Sequence, residues 1–267
     1  MSVPVLLTHH WRQHRLALLW LIVAAAFFQW AITRVVPSAD QTAFVREILT
    51  LVPPPVRVLL GEELVANVSA RGFLGFGYVH PFALLMFAAW AVRVAAGALA
   101  GEVGRGTMDL LASRPVTRGA HVGAGAIALG VGLALIAAAE WAGTAWGLHS
   151  RVLENVAPAD FVPLAAMSLL LFAACGAVAL LVSALSDESG TAISWCAGIL
   201  AGSYVLDYLA RVWATIGFLR PLSLFRYFEP QRILREGGVA ASDAAVLGAV
   251  CAVALLLAFA AFARRDI

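Results

Sequence analysis

FLGFGYVHPFALLMFAAWAVRVAAGALA, residues 73–100, contains one charged side chain, Arg93. A helix rises about 1.5 Å per residue and the hydrocarbon core of a bilayer is about 30 Å thick, so about 20 apolar residues are enough to cross it. This stretch is longer than that. Arg93 lies about 20 residues, roughly 30 Å, along it, which sets Arg93 at the far surface and makes the helix project beyond the lipid. Five more segments are long and apolar enough to cross: residues 16–32, 120–141, 161–185, 191–208 and 244–262. The first exceeds a signal-peptide core and has no A-x-A cleavage site behind it, so it reads as a retained span. Open sheets cannot satisfy their backbone groups in lipid, whereas helices satisfy their own. The expected fold is an all-α membrane protein, a six-transmembrane-helix bundle forming one domain over residues 1–267.

Composition agrees with a membrane chain. Of 267 residues, 62% are hydrophobic and 13% charged, against about 45–50% and about 25% in soluble domains. Net charge is +2, which gives no basic footprint for nucleic acid. All 18 basic residues are Arg. A chain without Lys has neither the P-loop Lys that grips ATP phosphates nor a Schiff-base Lys. Any ATP that drives this protein is therefore hydrolysed by another chain. Cys175, Cys196 and Cys251 sit in apolar runs and read as buried small residues. His9, His10 and His14 lack the companion ligands of a metal site.

Two longer connections interrupt the spans. PPPVRVLLGEEL (53–64) and LSLFRYFEPQRILREGG (222–238) read as short interfacial or re-entrant helices before spans 2 and 6, or as plain surface loops; neither has a core of its own. Pro221, Pro230 and Gly237-Gly238 punctuate the second. Six spans put both termini on one side, with Arg12, Arg15, Arg93, Arg105, Arg114, Arg118, Arg264 and Arg265. The other side holds the remaining ten Arg. The positive-inside rule weighs short segments close to the spans, and long loops count little. With those set aside, Arg151 stands alone outside. The expected placement is multi-pass in the cell (inner) membrane with both termini cytoplasmic.

Ionisable residues within spans mark ion or proton pathways, so their depth matters. Glu140, beside Trp141 and Trp146, reads as lying at an outer aromatic belt, and Asp207 as closing span 5 in the same way. His80-Pro81 lies inside span 2, where Pro breaks the hydrogen-bond ladder; the pair reads as a kink with a locally bonded His, or as a pathway lining. No chain of buried Asp, Glu and His crosses the sequence pattern, which argues against a proton-coupled transporter. The GxxxG steps at Gly97–Gly101 and Gly198–Gly202 permit close helix contact.

Between spans 2 and 3 lies GEVGRGTMDLLASRPVTRG, residues 101–119. Thr107 suits a helix N-cap, Asp109 favours the positive end of the helix dipole, and Pro115 disfavours helix at Arg114. Met108, Leu110 and Leu111 are its apolar residues. So short a helix does not hold alone in water, so it leans on its own bundle or seats in a groove of a partner.

Residues 102–118, EVGRGTMDLLASRPVTR, closely resemble the E-x-x-x-G-T-[LM]-[DE]-L-L-x-[AS]-x-P-[VI]-[ST]-R signature of ABC type 2 (ABC-2) transporter permeases. SLFRYFEPQRILREG (223–237), the terminal FARRDI (262–267) and the N-terminal HHWRQHRLALLW, similar to the family's interfacial first helix, agree with it. One departure is Ala124-Gly125, where such permeases commonly carry Gly-Lys. The resemblance implies a permease subunit of an ATP-binding-cassette exporter. It would partner with cytoplasmic ABC ATPase subunits and with a second permease copy or paralogue within the lipid bilayer. It would bind no cofactor itself, because ATP and Mg reside in the partner ATPase, and would not be an enzyme. A short cytoplasmic coupling helix between spans 2 and 3 would carry Glu102, Arg105, Gly106, Thr107, Leu110, Leu111, Arg114, Pro115 and Arg118 as its ATPase-coupling residues. A pathway poor in charge implies a hydrophobic or amphipathic substrate. Alternatives are an ATPase-linked accessory in cofactor assembly or surface-machine placement, and a secondary transporter, which would show a midplane ionisable pair or inverted repeats.

Overall fold

The structure, a computed structural model, describes residues 3–36, 51, 53, 56, 69–104, 106, 117–150, 153 and 156–265. Most of the 53–64 stretch lies outside them. Among the described residues there are nine α-helices: α1 (Val3–Val35), α2 (Ala70–Val79), α3 (Pro81–Ala98), α4 (Ala100–Gly104), α5 (Arg118–Ser150), α6 (Val162–Leu185), α7 (Ser189–Val212), α8 (Pro230–Glu236) and α9 (Ala241–Ala263). Six helical stretches are long and apolar enough to cross a membrane: Leu6–Val35, Ala70–Ala98, Arg118–Ser150, Pro158–Leu185, Ser189–Val212 and Ala241–Ala263. Five extend past the apolar core read from the sequence, and the second begins three residues before it and ends two residues short of it. α1 and α5 have 33 residues each, or about 50 Å at about 1.5 Å per residue, well beyond a bilayer core. α1 is continuous from Val3, so within the described residues no separate interfacial helix precedes span 1.

α3, α5 and α6 form the inner layer. α1 lies along α5, α9 along α6, and α7 against α3 and α6. The outer helices show lipid what lipid requires, with Trp20, Phe27, Trp195 and Leu256 all exposed; association within lipid then rests on packing and internal polar contacts. The α1–α5 seam is close because α5 carries Gly143 and Gly147. A Cβ on Gly143 would stand 2.1 Å from the Ala26 carbonyl oxygen, and one on Gly147 would stand 2.0 Å from Thr33 Oγ1. Gly198 and Gly202, by contrast, have nothing within 4 Å.

Span 2 is broken. α2 stops at Val79 and α3 begins at Pro81, a position where the missing N–H costs nothing. His80 Nδ1 accepts the Phe82 N–H at 3.2 Å, and its ring lies against Phe28 and Phe76. A second break, at Leu99, separates α3 from α4 and is bridged from α6. Ser183 Oγ, fully buried, accepts the Ala100 N–H at 3.0 Å and donates to the Ala96 carbonyl at 3.4 Å. Ser183→Ala leaves both backbone groups short of a partner and should cost about 1–3 kcal/mol, read as a lower thermal midpoint in detergent.

The connection before α9 is tied to the bundle by aromatic rings and by charge. Phe87 stacks on Phe172, Phe172 meets the edge of Phe225, and Phe225 meets Tyr204. Asp207, buried at the end of α7, accepts from Arg211 and from Arg220 Nε at 3.0 Å, and Arg220 and Arg226 both pair with Glu229. Burial works against the Arg220 charge, but the hydrogen bonds and charges of Asp207 and Glu229 outweigh it and hold the guanidinium above its ordinary range. α8 starts on Pro230 and closes on Gly237 at φ 71°, with the Gly238 N–H reaching back to the Ile233 carbonyl at 3.1 Å.

Candidate functional site

One end of the bundle gathers the start of α1, the end of α3 with α4, the start of α5, the α6–α7 junction and the end of α9. Its outer rim is held by two arginines. Arg118, first residue of α5, donates to the Ala263 carbonyl at 3.1 Å and to the Arg265 carbonyl. The Ala263 carbonyl is the last of α9, where a cation is favoured by the helix dipole, and the Arg265 carbonyl lies just past it. Arg265 donates to the Ala184 and Ser186 carbonyls at 3.1 and 2.8 Å and pairs with Asp187. The two side chains together fasten α5, α6 and α9 and fix the turn into α7. Gly104, the last residue of α4, lies against that turn; a Cβ there would sit 3.4 Å from the Asp187 carbonyl oxygen.

Inside the rim is a buried polar group drawn from three spans. Glu102 on α4 is 4% exposed, with His9 Nε2 at 3.6 Å. His10 and His14, successive inward positions of α1, and His121 on α5 are buried nearby, and Arg93 Nε donates to His14 Nδ1 at 3.3 Å. α4 is thereby held from below by α1 and from the side by Ser183. Past Gly104, the Gly106 N–H bonds the Val103 carbonyl at 2.9 Å, and Thr117 Oγ1 accepts the Ala120 N–H at 3.3 Å at the first turn of α5.

The sequence-predicted residues fall into four groups. Glu102 is turned inward and Arg118 is held by the end of α9. Gly106, at φ 65°, occupies the left-handed region that favours glycine. Arg105, Thr107, Leu110, Leu111, Arg114 and Pro115 lie outside the described residues. His80 and Pro81 are elsewhere, at the break in span 2.

Three features are not what the sequence reading expected. Glu140, expected at an outer aromatic belt, is 0% exposed and packed between helices. Its position relative to Gly143 and Gly147 is the signal that finds it: residues i, i+3 and i+7 share a helix face, so the face that meets α1 carries Glu140 too. Asp207 is the centre of an ion-pair network rather than a simple helix end. Of the histidines of α1, which lack metal-ligand spacing, His9 and His10 prove to be neighbours of Glu102, and His14 accepts from Arg93. Among the described residues no group of His, Cys, Asp or Glu is arranged to hold a metal ion, and the three cysteines are free.

Comparison with known proteins agrees with this architecture. Residues 12–267 match the family described as ABC-2 family transporter protein. No curated protein matches the chain. The family forms the permease component of ABC transporters, a non-catalytic membrane subunit that works with separate ATPase chains. With six helices long and apolar enough to cross a membrane and a family match over nearly its whole length, this chain belongs to the ABC-2 transporter permeases.

Proposed function

We propose that the chain is the membrane half of an ABC exporter of hydrophobic or amphipathic molecules. It would work as a single permease domain over residues 1–267, with both termini and residues 105–116 on the cytoplasmic side of the cell membrane. The observation that carries this reading is the rim: α4 and α5, the helices that flank residues 105–116 in the sequence, are each fixed to other spans. A force passed to α4 or to α5 would therefore reach the spans to which each is fixed. Leu110 and Leu111 seat in a groove of the ATPase, and Arg105 and Arg114 orient it. Glu102 and Arg118 act one step behind, as anchors of the segment. Closing and opening of the ATPase pair then switches the bundle between inward and outward access. A second permease copy or paralogue completes the pathway, and the segments at residues 214–236 sit at the outer interface.

Purification of the tagged chain from its native membranes tests this reading. An ATPase with a Walker A motif should co-purify, together with a second permease chain. Recovery of the permease with no ATPase, under conditions that keep it folded, overturns the reading.

A further inference from the structure

Helices α1, α2 and α5 close around a group of polar side chains that the transport scheme above does not use. Glu140 and Gln29 are both 0% exposed, and Gln29 Nε2 donates to Glu140 Oε1 at 3.2 Å. One turn along α5, Thr144 Oγ1 bonds the Glu140 carbonyl at 3.3 Å and lies 3.0 Å from the Tyr78 hydroxyl, which α2 brings in. The polar or titratable groups facing Glu140 are thus Gln29 from α1, Tyr78 from α2 and Thr144 from its own helix. No Arg or His among the described residues forms an ion pair with it. Two oxygens remain: Glu140 Oε2 and Gln29 Oε1 are both buried and neither has a hydrogen-bond partner.

Both orphans are acceptors. An ionised carboxylate has no donor to offer, and a charge buried without a counter-charge is strongly disfavoured. A single proton alters the inventory, because the neutral acid gains an O–H donor while keeping a carbonyl that accepts the amide N–H. We propose that Glu140 is a proton-binding site, a neutral carboxylic acid hydrogen-bonded head to tail with the Gln29 amide. The ligand is the proton. The acid–amide pair clasps α1 to α5 beside the Gly143–Ala26 contact, so the two helices move as one body. The proposal does not depend on the exporter reading, since it concerns only how the seam is held.

Infrared difference spectroscopy of the full chain in lipid at neutral pH, wild type minus Glu140→Gln, tests it. A carbonyl stretch of a protonated carboxyl should appear, and a pair of carboxylate bands in its place overturns the proposal. Gln at 140 supplies an N–H where the acid supplied its O–H, so this variant should keep the wild-type thermal midpoint. Should it fail to assemble, Gln29→Leu gives an independent reading. Loss of the amide N–H should move the acid carbonyl band to higher frequency, and a band that stays in place overturns the pairing.

Discussion

Gly143→Leu should loosen α1 from the bundle and lower the thermal midpoint in detergent by roughly 10 °C, a loss of about 3 kcal/mol. The obstacle is backbone. A Cβ at this position would stand 2.1 Å from the Ala26 carbonyl oxygen and 2.8 Å from its carbon, and a helix backbone cannot turn aside as a side chain can. Relief requires α1 to move away along the seam, which also parts Gly147 from Thr33 and Gln29 from Glu140. Apart from the contacts of His9 and His14 with Glu102 and Arg93, α1 is held mainly by α5, and one flank of it, from Leu16 through Trp20 to Phe27, is exposed. Gly130→Leu is the control on the same helix, because a Cβ at Gly130 meets nothing within 4 Å. That variant should be neutral, or more stable by about 0.5–1 kcal/mol through helix propensity. Equal midpoints for the two variants would sink the argument that close backbone approach holds α1.

The six crossings were legible because lipid imposes a length and an apolar composition that few other environments demand. Their ends were not, since a change in polarity marks the edge of the membrane and says little about where a helix stops. Residues 141–150 contain nothing that halts a helix, and α5 accordingly runs on to Ser150. The same confusion misplaced Glu140: reading depth alone set it at a surface, whereas the face it shares with Gly143 turns it inward. Arg118 and Arg265 were legible as basic residues near a membrane surface, but their use as donors to helix-terminal carbonyls depends on partners 145 and 81 residues away. Nothing local announces such pairings. The links of Arg220 to Asp207, 13 residues before it, and to Glu229, nine residues after it, were equally out of reach. The expected coupling segment rests on the local order of residues 107–115 alone, which lie outside the described residues.

Leu110→Asp combined with Leu111→Asp should abolish recovery of the ATPase while leaving the permease inserted and folded. Burying a Leu side chain is worth about 1.5–3 kcal/mol, so removing two from a groove forfeits roughly 4 kcal/mol, about a thousandfold in affinity. Two carboxylates facing that groove weaken docking further, because neither would find a counter-charge in an apolar site. The bundle should be indifferent. Both positions lie between α4 and α5, outside the six spans, so the thermal midpoint should match wild type and contrast with the drop expected for Gly143→Leu. Pull-down of the tagged double variant beside wild type, with the permease band as internal standard, makes the measurement. Undiminished ATPase in the variant lane would remove this segment from the coupling path and leave Arg105 and Arg114 without the apolar anchor they are supposed to orient.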